Sequence, residues 1–155
     1  MTNRQSKNNE TVKRYIDRFS KYGVSKDTLG WCKGKQDLRY RALLQKIPPT
    51  IESITDIGCG FGDGIEYIYE KFPSAQITGV DLVAEFIKKC GMKYPDCKFK
   101  TGDYVDVLTR TDAVIASGVF NYQTGTSYED IDNLIQICKD LKVDYLAFDS
   151  LSNNV

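Results

Sequence analysis

Ser53-Ile54-Thr55-Asp56-Ile57-Gly58-Cys59-Gly60-Phe61-Gly62-Asp63-Gly64 is the stretch that decides the fold. Its first five residues read as a buried strand. A helix is predicted over Phe61–Phe72, with Ile65, Ile68, Tyr69 and Phe72 on one face. The glycines between them let the chain turn sharply and leave bare backbone for a ligand to lie against. The helix N-terminus behind the turn offers free N–H groups and a positive dipole end, which suit a negatively charged or strongly polar ligand. Taken alone, such a turn is equally a tight connection that binds nothing.

Downstream, strands and helices alternate. Strands are predicted at Gln76–Asp81, Lys98–Thr101, Asp112–Ser117 and Val143–Asp149, and helices at Val83–Cys90 and Tyr128–Leu141. Strands separated by helices of this length imply βαβ units and a doubly wound parallel α/β sheet. Right-handed crossovers then bring the carboxyl ends of all strands to one edge, where ligands bind. The second strand ends in Asp81, 19 positions after Gly62. A carboxylate there can accept hydrogen bonds from both ribose hydroxyls of a nucleoside. It can equally cap the following helix, or do both.

Upstream, residues 1–9 are polar and expected to fray. Val12, Tyr15, Ile16, Phe19 and Tyr22 fall at helical spacing from Glu10, and Gly23 is placed to end that helix in a left-handed conformation. A loop after Gly23 that contains Leu29–Lys35, and a helix over Gln36–Ile47 with Leu38, Ala42 and Leu43 on one side, complete a cap over residues 1–50. Pro48-Pro49 stops that helix.

The 155 residues suit one domain. The five cysteines are scattered without a C-x-x-C pair, so neither a disulfide framework nor a metal site is expected. The chain has no histidine, which excludes every mechanism that needs an imidazole base. No apolar run of about 18 residues marks a membrane span, and the polar start lacks a signal peptide's apolar core. A cytoplasmic address is expected. Net charge is zero, yet residues 1–50 hold 12 Lys and Arg against 4 Asp and Glu, and the remainder holds 9 against 17. The basic arm can attract an acidic partner such as nucleic acid, although a solvated helix face explains it better.

The turn departs from the dinucleotide fingerprint G-x-G-x-x-G/A, whose last position here is Asp63. A charged side chain fits poorly in that helix–strand contact. The turn reads instead as an acid followed by G-x-G-x-G: Asp56, Gly58, Gly60 and Gly62, with Cys59 between the first two glycines. It resembles the first motif of the class I S-adenosylmethionine (SAM)-dependent methyltransferases, a Rossmann-like family. The resemblance runs from about Ile51 to Asp149 and implies SAM as the cofactor. It places Asp81 on the ribose and Leu82 on the adenine ring. Asp103 of Thr101-Gly102-Asp103-Tyr104 falls at the adenine amino group, with Tyr104 flanking the ring. Ser117 and Gly118, after the fourth strand, lie beside the reactive methyl. A narrower resemblance, carried by Leu29-Gly30-Trp31, Lys33-Gly34-Lys35-Gln36 and Arg39, is to bacterial and phage members with an N-terminal helical cap. It implies that Arg39 or Lys35 pairs with the methionine carboxylate.

Ser117-Gly118-Val119-Phe120 lacks the proline pair of the amino-methylating DNA enzymes. No Pro-Cys pair marks an RNA cytosine enzyme either. A small molecule or a protein side chain is the expected acceptor, and no catalytic base is assigned. The family's sheet order implies 3-2-1-4-5. Only six residues follow the fifth strand, too few for the family's last two strands, so the fifth strand is expected at an open edge that invites self-association. On that reading the chain is a fragment, a shortened enzyme or half of an assembly. The alternatives to an active methyltransferase are a non-catalytic module holding SAM or its demethylated product, and a nicotinamide-dependent oxidoreductase.

Overall fold

Strand β1 (Ser53–Ile57) lies at the centre of the molecule, and its last four residues are buried. The computed structural model describes residues 2–30, 35–121 and 127–150. Three helices precede β1: α1 (Asn3–Tyr22), α2 (Lys26–Leu29) and α3 (Gln36–Leu44). After β1 come α4 (Ile65–Lys71), β2 (Gln76–Asp81), α5 (Ala84–Lys93), β3 (Lys98–Thr101) and α6 (Tyr104–Val107). Strand β4 (Ala113–Ala116), α7 (Ser127–Asp140) and β5 (Tyr145–Phe148) complete the order.

The sheet runs β3-β2-β1-β4-β5 and every pairing is parallel, as expected. The chain reverses its direction of winding between β1 and β4, so a crevice opens beyond their carboxyl ends. Of the neighbours of β1, β4 is Ala-Val-Ile-Ala and wholly buried, while β2 buries Ile77, Gly79 and Val80. One core layer joins Ile54, Ile65, Ile68, Phe72, Ile77 and Ile115 to Tyr40 and Leu44 of α3. The opposite layer joins Ile57, Val80, Val114, Leu134 and Cys138. A third cluster fastens α1 to the sheet domain, with Tyr15, Ile16 and Phe19 set against Phe61, Val83 and Phe86. Phe61 and Phe86 lie 4.5 Å apart, and Phe19 leans on both at 5.8 and 5.9 Å.

The N-terminus departs from expectation. Residues 3–9 are helical, because Thr2 accepts from the Gln5 N–H while Gln5 reaches back to the Thr2 N–H. That capping box satisfies two otherwise orphaned donors. Gly23 has φ +61° but ψ −151°, so it ends α1 outside the left-handed helical region, and Tyr22 is exposed. Part of the expected loop after Gly23 is the short helix α2, while Trp31–Gly34 lie outside the described residues.

Helix α3 is shorter than expected and turns a different face inward. Leu38 is 66% exposed, whereas Gln36, Tyr40, Leu43 and Leu44 are buried. The aromatic ring decides the rotation: Tyr40 stacks on Tyr67 of α4 at 5.6 Å. The Lys71 ammonium collects the Leu44 and Gln45 carbonyls and closes the helix end. Helix α4 starts at Ile65 rather than Phe61, because Gly60 and Gly62 hold positive φ. Helix α6 was not foreseen, although Asp103 caps it by accepting from the Val105 N–H.

Candidate functional site

The tips of β1 and β2 meet at the floor of a cavity of about 430 Å³. Gly58, Gly60 and Gly62 have φ of +70°, +55° and +79°, values that side chains rarely tolerate. The Gly58 and Cys59 N–H groups both donate to the Val80 carbonyl, at 2.7 and 3.1 Å. The Gly60 N–H donates to Asp81 Oδ2 at 2.9 Å, and the Gly62 N–H to the Cys59 carbonyl at 2.8 Å. These four amides are therefore committed within the protein. The loop presents a glycine backbone face rather than the cradle of free donors that the turn alone suggests.

Both Asp81 oxygens accept from backbone N–H groups, Oδ2 from Gly60 and Oδ1 from Val83. The Val83 bond, at 2.9 Å, holds the turn that leads into α5, whose N-cap is Val83 itself. Burial raises its pKa, and the backbone N–H groups of Val83, Gly60 and Leu82 work against that rise. Asp81 borders the cavity, and a carboxylate has more acceptor sites than these bonds use.

A second carboxylate lies across the floor. Asp103 accepts from Arg4 Nε and Nη2, the latter at 2.7 Å, and from Asn8 Nδ2 at 2.7 Å. Arg4 also donates to Asp130 at 2.9 Å and lies over the Tyr104 ring at 4.9 Å. The Tyr104 hydroxyl donates to the Asp130 carbonyl at 3.0 Å. Burial pushes the Asp103 pKa up, but the Arg4 and Asn8 hydrogen bonds outweigh it and hold the group below its ordinary value. This cluster ties the first two turns of α1 to α6 and α7.

The opposite end is bounded by Gln36, Arg39, Tyr40, Asp63, Ser117 and Gly118. Gln36 Nε2 donates to Asp63 Oδ2 at 3.0 Å. Asp56 lies beneath this end with no exposed surface. Among the described residues neither of its oxygens has a hydrogen-bond partner, and burial raises its pKa well above the ordinary range. The buried Tyr40 phenol is also raised, first by burial and then by Asp56 and its neighbours.

With this geometry in view, the profile of a family described as a methyltransferase domain matches residues 54–141, more than half of the chain. The chain belongs to the class I methyltransferases. Trans-aconitate 2-methyltransferase of Escherichia coli O7:K1 is 36% identical over 62 residues, 39% of this chain but only 25% of that enzyme. A sugar N-methyltransferase from Streptoalloteichus superposes over 90% of this chain and 54% of its own, with TM-score 0.60 at 20% identity. The magnesium protoporphyrin IX methyltransferase of Synechocystis, solved with bound SAM, gives 0.61 at 17% identity over 88% and 72%.

In this methyltransferase domain, one cavity gathers most of the residues singled out by sequence. Gly58, Cys59, Gly60, Asp81, Leu82, Asp103, Tyr104, Ser117, Gly118 and Arg39 all line it. Asp56 underlies it, and Gly62 packs behind it against Tyr94 and Ile65. Lys35 is exposed and borders a separate groove. Arg39 is set against Asp149 at 3.5 Å. The sequence reading missed Arg4, Asn8, Tyr40 and Asp149. Only Arg4 and Asn8 carried a signal, the Thr2/Gln5 capping pair that makes their segment a helix. No helix among the described residues is long and apolar enough to cross a membrane.

Proposed function

We propose that this domain binds SAM in the cavity and transfers its methyl group to a small-molecule acceptor. The observation that carries the reading is the Asp81 carboxylate, hydrogen-bonded to the Gly60 amide at 2.9 Å, which joins the two strand tips into one nucleoside-sized grip.

The residues present fit the cofactor. The cavity volume of about 430 Å³ lies in the range of small-molecule sites. Asp81 offers its remaining lone pairs to the ribose hydroxyls, Leu82 an apolar wall to the base, and Asp103 with Tyr104 the edge of the adenine subsite. Ser117 and Gly118 border the methyl end, and Arg39 is the cation for the methionine carboxylate. Asp63 places a carboxylate at that end, which suits a ligand carrying positive charge. A dinucleotide fits less well. Its pyrophosphate needs free amides at a helix N-terminus, and the loop amides here are engaged while acids stand close by.

SAM supplies the electrophile, a methyl carbon on a sulfonium. The protein holds donor and acceptor in line and excludes water. With no histidine in the chain, an acceptor that must lose a proton would give it to a carboxylate, a phenol or an amine. The small-molecule class rests on the trans-aconitate relative, and on the absence from Ser117–Phe120 of the DNA enzymes' proline pair.

Calorimetry with SAM, S-adenosylhomocysteine and NAD tests the reading. SAM and S-adenosylhomocysteine are expected to bind and NAD to fail. Asp81→Ala is expected to weaken both ligands at least tenfold, about 1.4 kcal/mol. Unchanged affinity in that variant rejects the ribose role. Release of labelled methyl across carboxylate, amine and hydroxyl acceptors then identifies the substrate.

A further inference from the structure

Asp149 stands just beyond β5 and uses both carboxylate oxygens on the turn that follows β4. Oδ2 accepts from the Ser117 hydroxyl at 2.9 Å, and Oδ1 accepts from the Gly118 N–H at 2.8 Å. Arg39 of α3 brings Nη1 to 3.5 Å from Oδ1. Gly118 bends at φ +74°, so the turn has a conformation that a side chain there would strain. The next residue closes the circuit: a Cβ on Gly58 would come within 2.6 Å of Val119 Cγ2. The turn is thus wedged between the glycine loop on one side and Asp149 on the other.

We propose that Asp149 is a positioning residue for the methyl end of the cofactor site. It sets the Ser117–Gly118 bend against Gly58 and, through Arg39, ties that bend to the cap helix α3. Cap, β4 turn and glycine loop thereby take up one arrangement together. The assignment rests on the SAM-binding reading above and concerns the wall built by Ser117, Gly118 and Arg39, not the Asp81 and Asp103 carboxylates.

Two ligands that share a nucleoside provide the test. Adenosine probes the nucleoside half alone, whereas SAM also occupies the methyl end. Calorimetric affinities for both are compared in the unaltered protein, in Asp149→Ala and in Asp149→Asn. Adenosine affinity is expected to stay within twofold throughout. SAM affinity is expected to fall at least fivefold in Asp149→Ala. It should fall less in Asp149→Asn, which keeps one carbonyl oxygen for the Gly118 N–H and so partly rescues the bend. Equal weakening of both ligands makes Asp149 a general prop of the fold and overturns the proposal, as does SAM affinity that does not change. If Asp149→Ala fails to fold, Asp149→Asn decides by the same comparison. Failure of the unaltered protein to bind either ligand overturns the SAM reading itself, an outcome distinct from a loss confined to the variants.

Discussion

The Asp56 carboxyl carries an electrostatic cost that no contact among the described residues offsets. Its pKa is raised chiefly by burial, with Asp81 and Asp63 adding to the rise. A raised carboxyl pKa means that the fold disfavours the ionised form. The unfolded chain ionises Asp56 in the ordinary range, so the penalty is absent below that range and grows as pH rises toward the folded-state value. Asparagine keeps the shape and cannot ionise. Asp56→Asn is therefore expected to gain stability over the unaltered protein as pH rises above the ordinary carboxylate range. The gain should grow by up to about 1.4 kcal/mol per pH unit until Asp56 itself ionises in the fold. Urea melts across that rise in pH measure it, and a gap that does not change with pH would show Asp56 ionised and partnered. At this scale, legibility divided by chemistry. Asp56, Asp81 and Asp103 sit at strand ends beside glycines, a spacing visible in one dimension. Asp149 gives no such sign, because its partners Ser117 and Gly118 lie 32 and 31 residues away. Tyr40 was passed over because a tyrosine in a helix reads as packing, and only the tertiary fold brings it beside Asp56.

Helix α1 is held to the rest of the molecule at two places of different chemistry. Its middle and C-terminal half pack aromatic rings on Phe61 and Phe86, while its first turns depend on Arg4 and Asn8 reaching Asp103. None of its 20 residues is fully buried. Stability borrowed from so few contacts leaves the first turns prone to local opening. Arg4→Ala is expected to speed amide exchange over residues 3–11 about tenfold or more, some ~1.4 kcal/mol of lost local stability. Exchange over residues 15–22 should change little. The lowered pKa of Asp103 adds a pH signature. The stabilisation is present above the ordinary carboxylate range and is lost as pH falls through the folded-state value, so acid should loosen the same turns in the unaltered protein but add little in Arg4→Ala. Hydrogen exchange read by mass spectrometry checks both, and uniform acceleration along α1 would count against the two-anchor picture. The strands were easier to read than this helix. Ala113–Ala116 is a short apolar run whose burial on both faces leaves little choice. The start of α1 is polar and depends on a four-residue cap and on acids more than 90 residues away, so periodicity alone could not extend it to Asn3.

Across the whole molecule, charge and cavity have one division. The basic first 50 residues supply Arg4, Asn8, Gln36, Arg39 and Tyr40 to the cavity wall, and the acidic remainder supplies Gly58, Asp81, Asp103 and Ser117. The sheet order was legible because a resemblance spanning most of the strands leaves few arrangements open. The closing of the cap onto the sheet was not, since aromatic contacts such as Phe19 on Phe61 have no signature in spacing. A ligand that touches both parts binds the folded state and has nothing comparable to grip in the unfolded chain. Mass action then sets the gain: at a hundredfold excess over the dissociation constant, folding is stabilised by about 2.7 kcal/mol. For a chain of this size, each kcal/mol moves the melting midpoint by about 2–4 °C. S-adenosylhomocysteine at that excess is therefore expected to raise the midpoint by roughly 5–11 °C. Asp81→Ala at the same ligand concentration should lose about half of that rise or more, because tenfold weaker binding removes ~1.4 kcal/mol. NAD at equal concentration should leave the midpoint where it was. Scanning calorimetry gives all three values. A rise with NAD as large as that with S-adenosylhomocysteine would mean that the cavity grips any adenosine nucleotide and that the acidic methyl end does not discriminate.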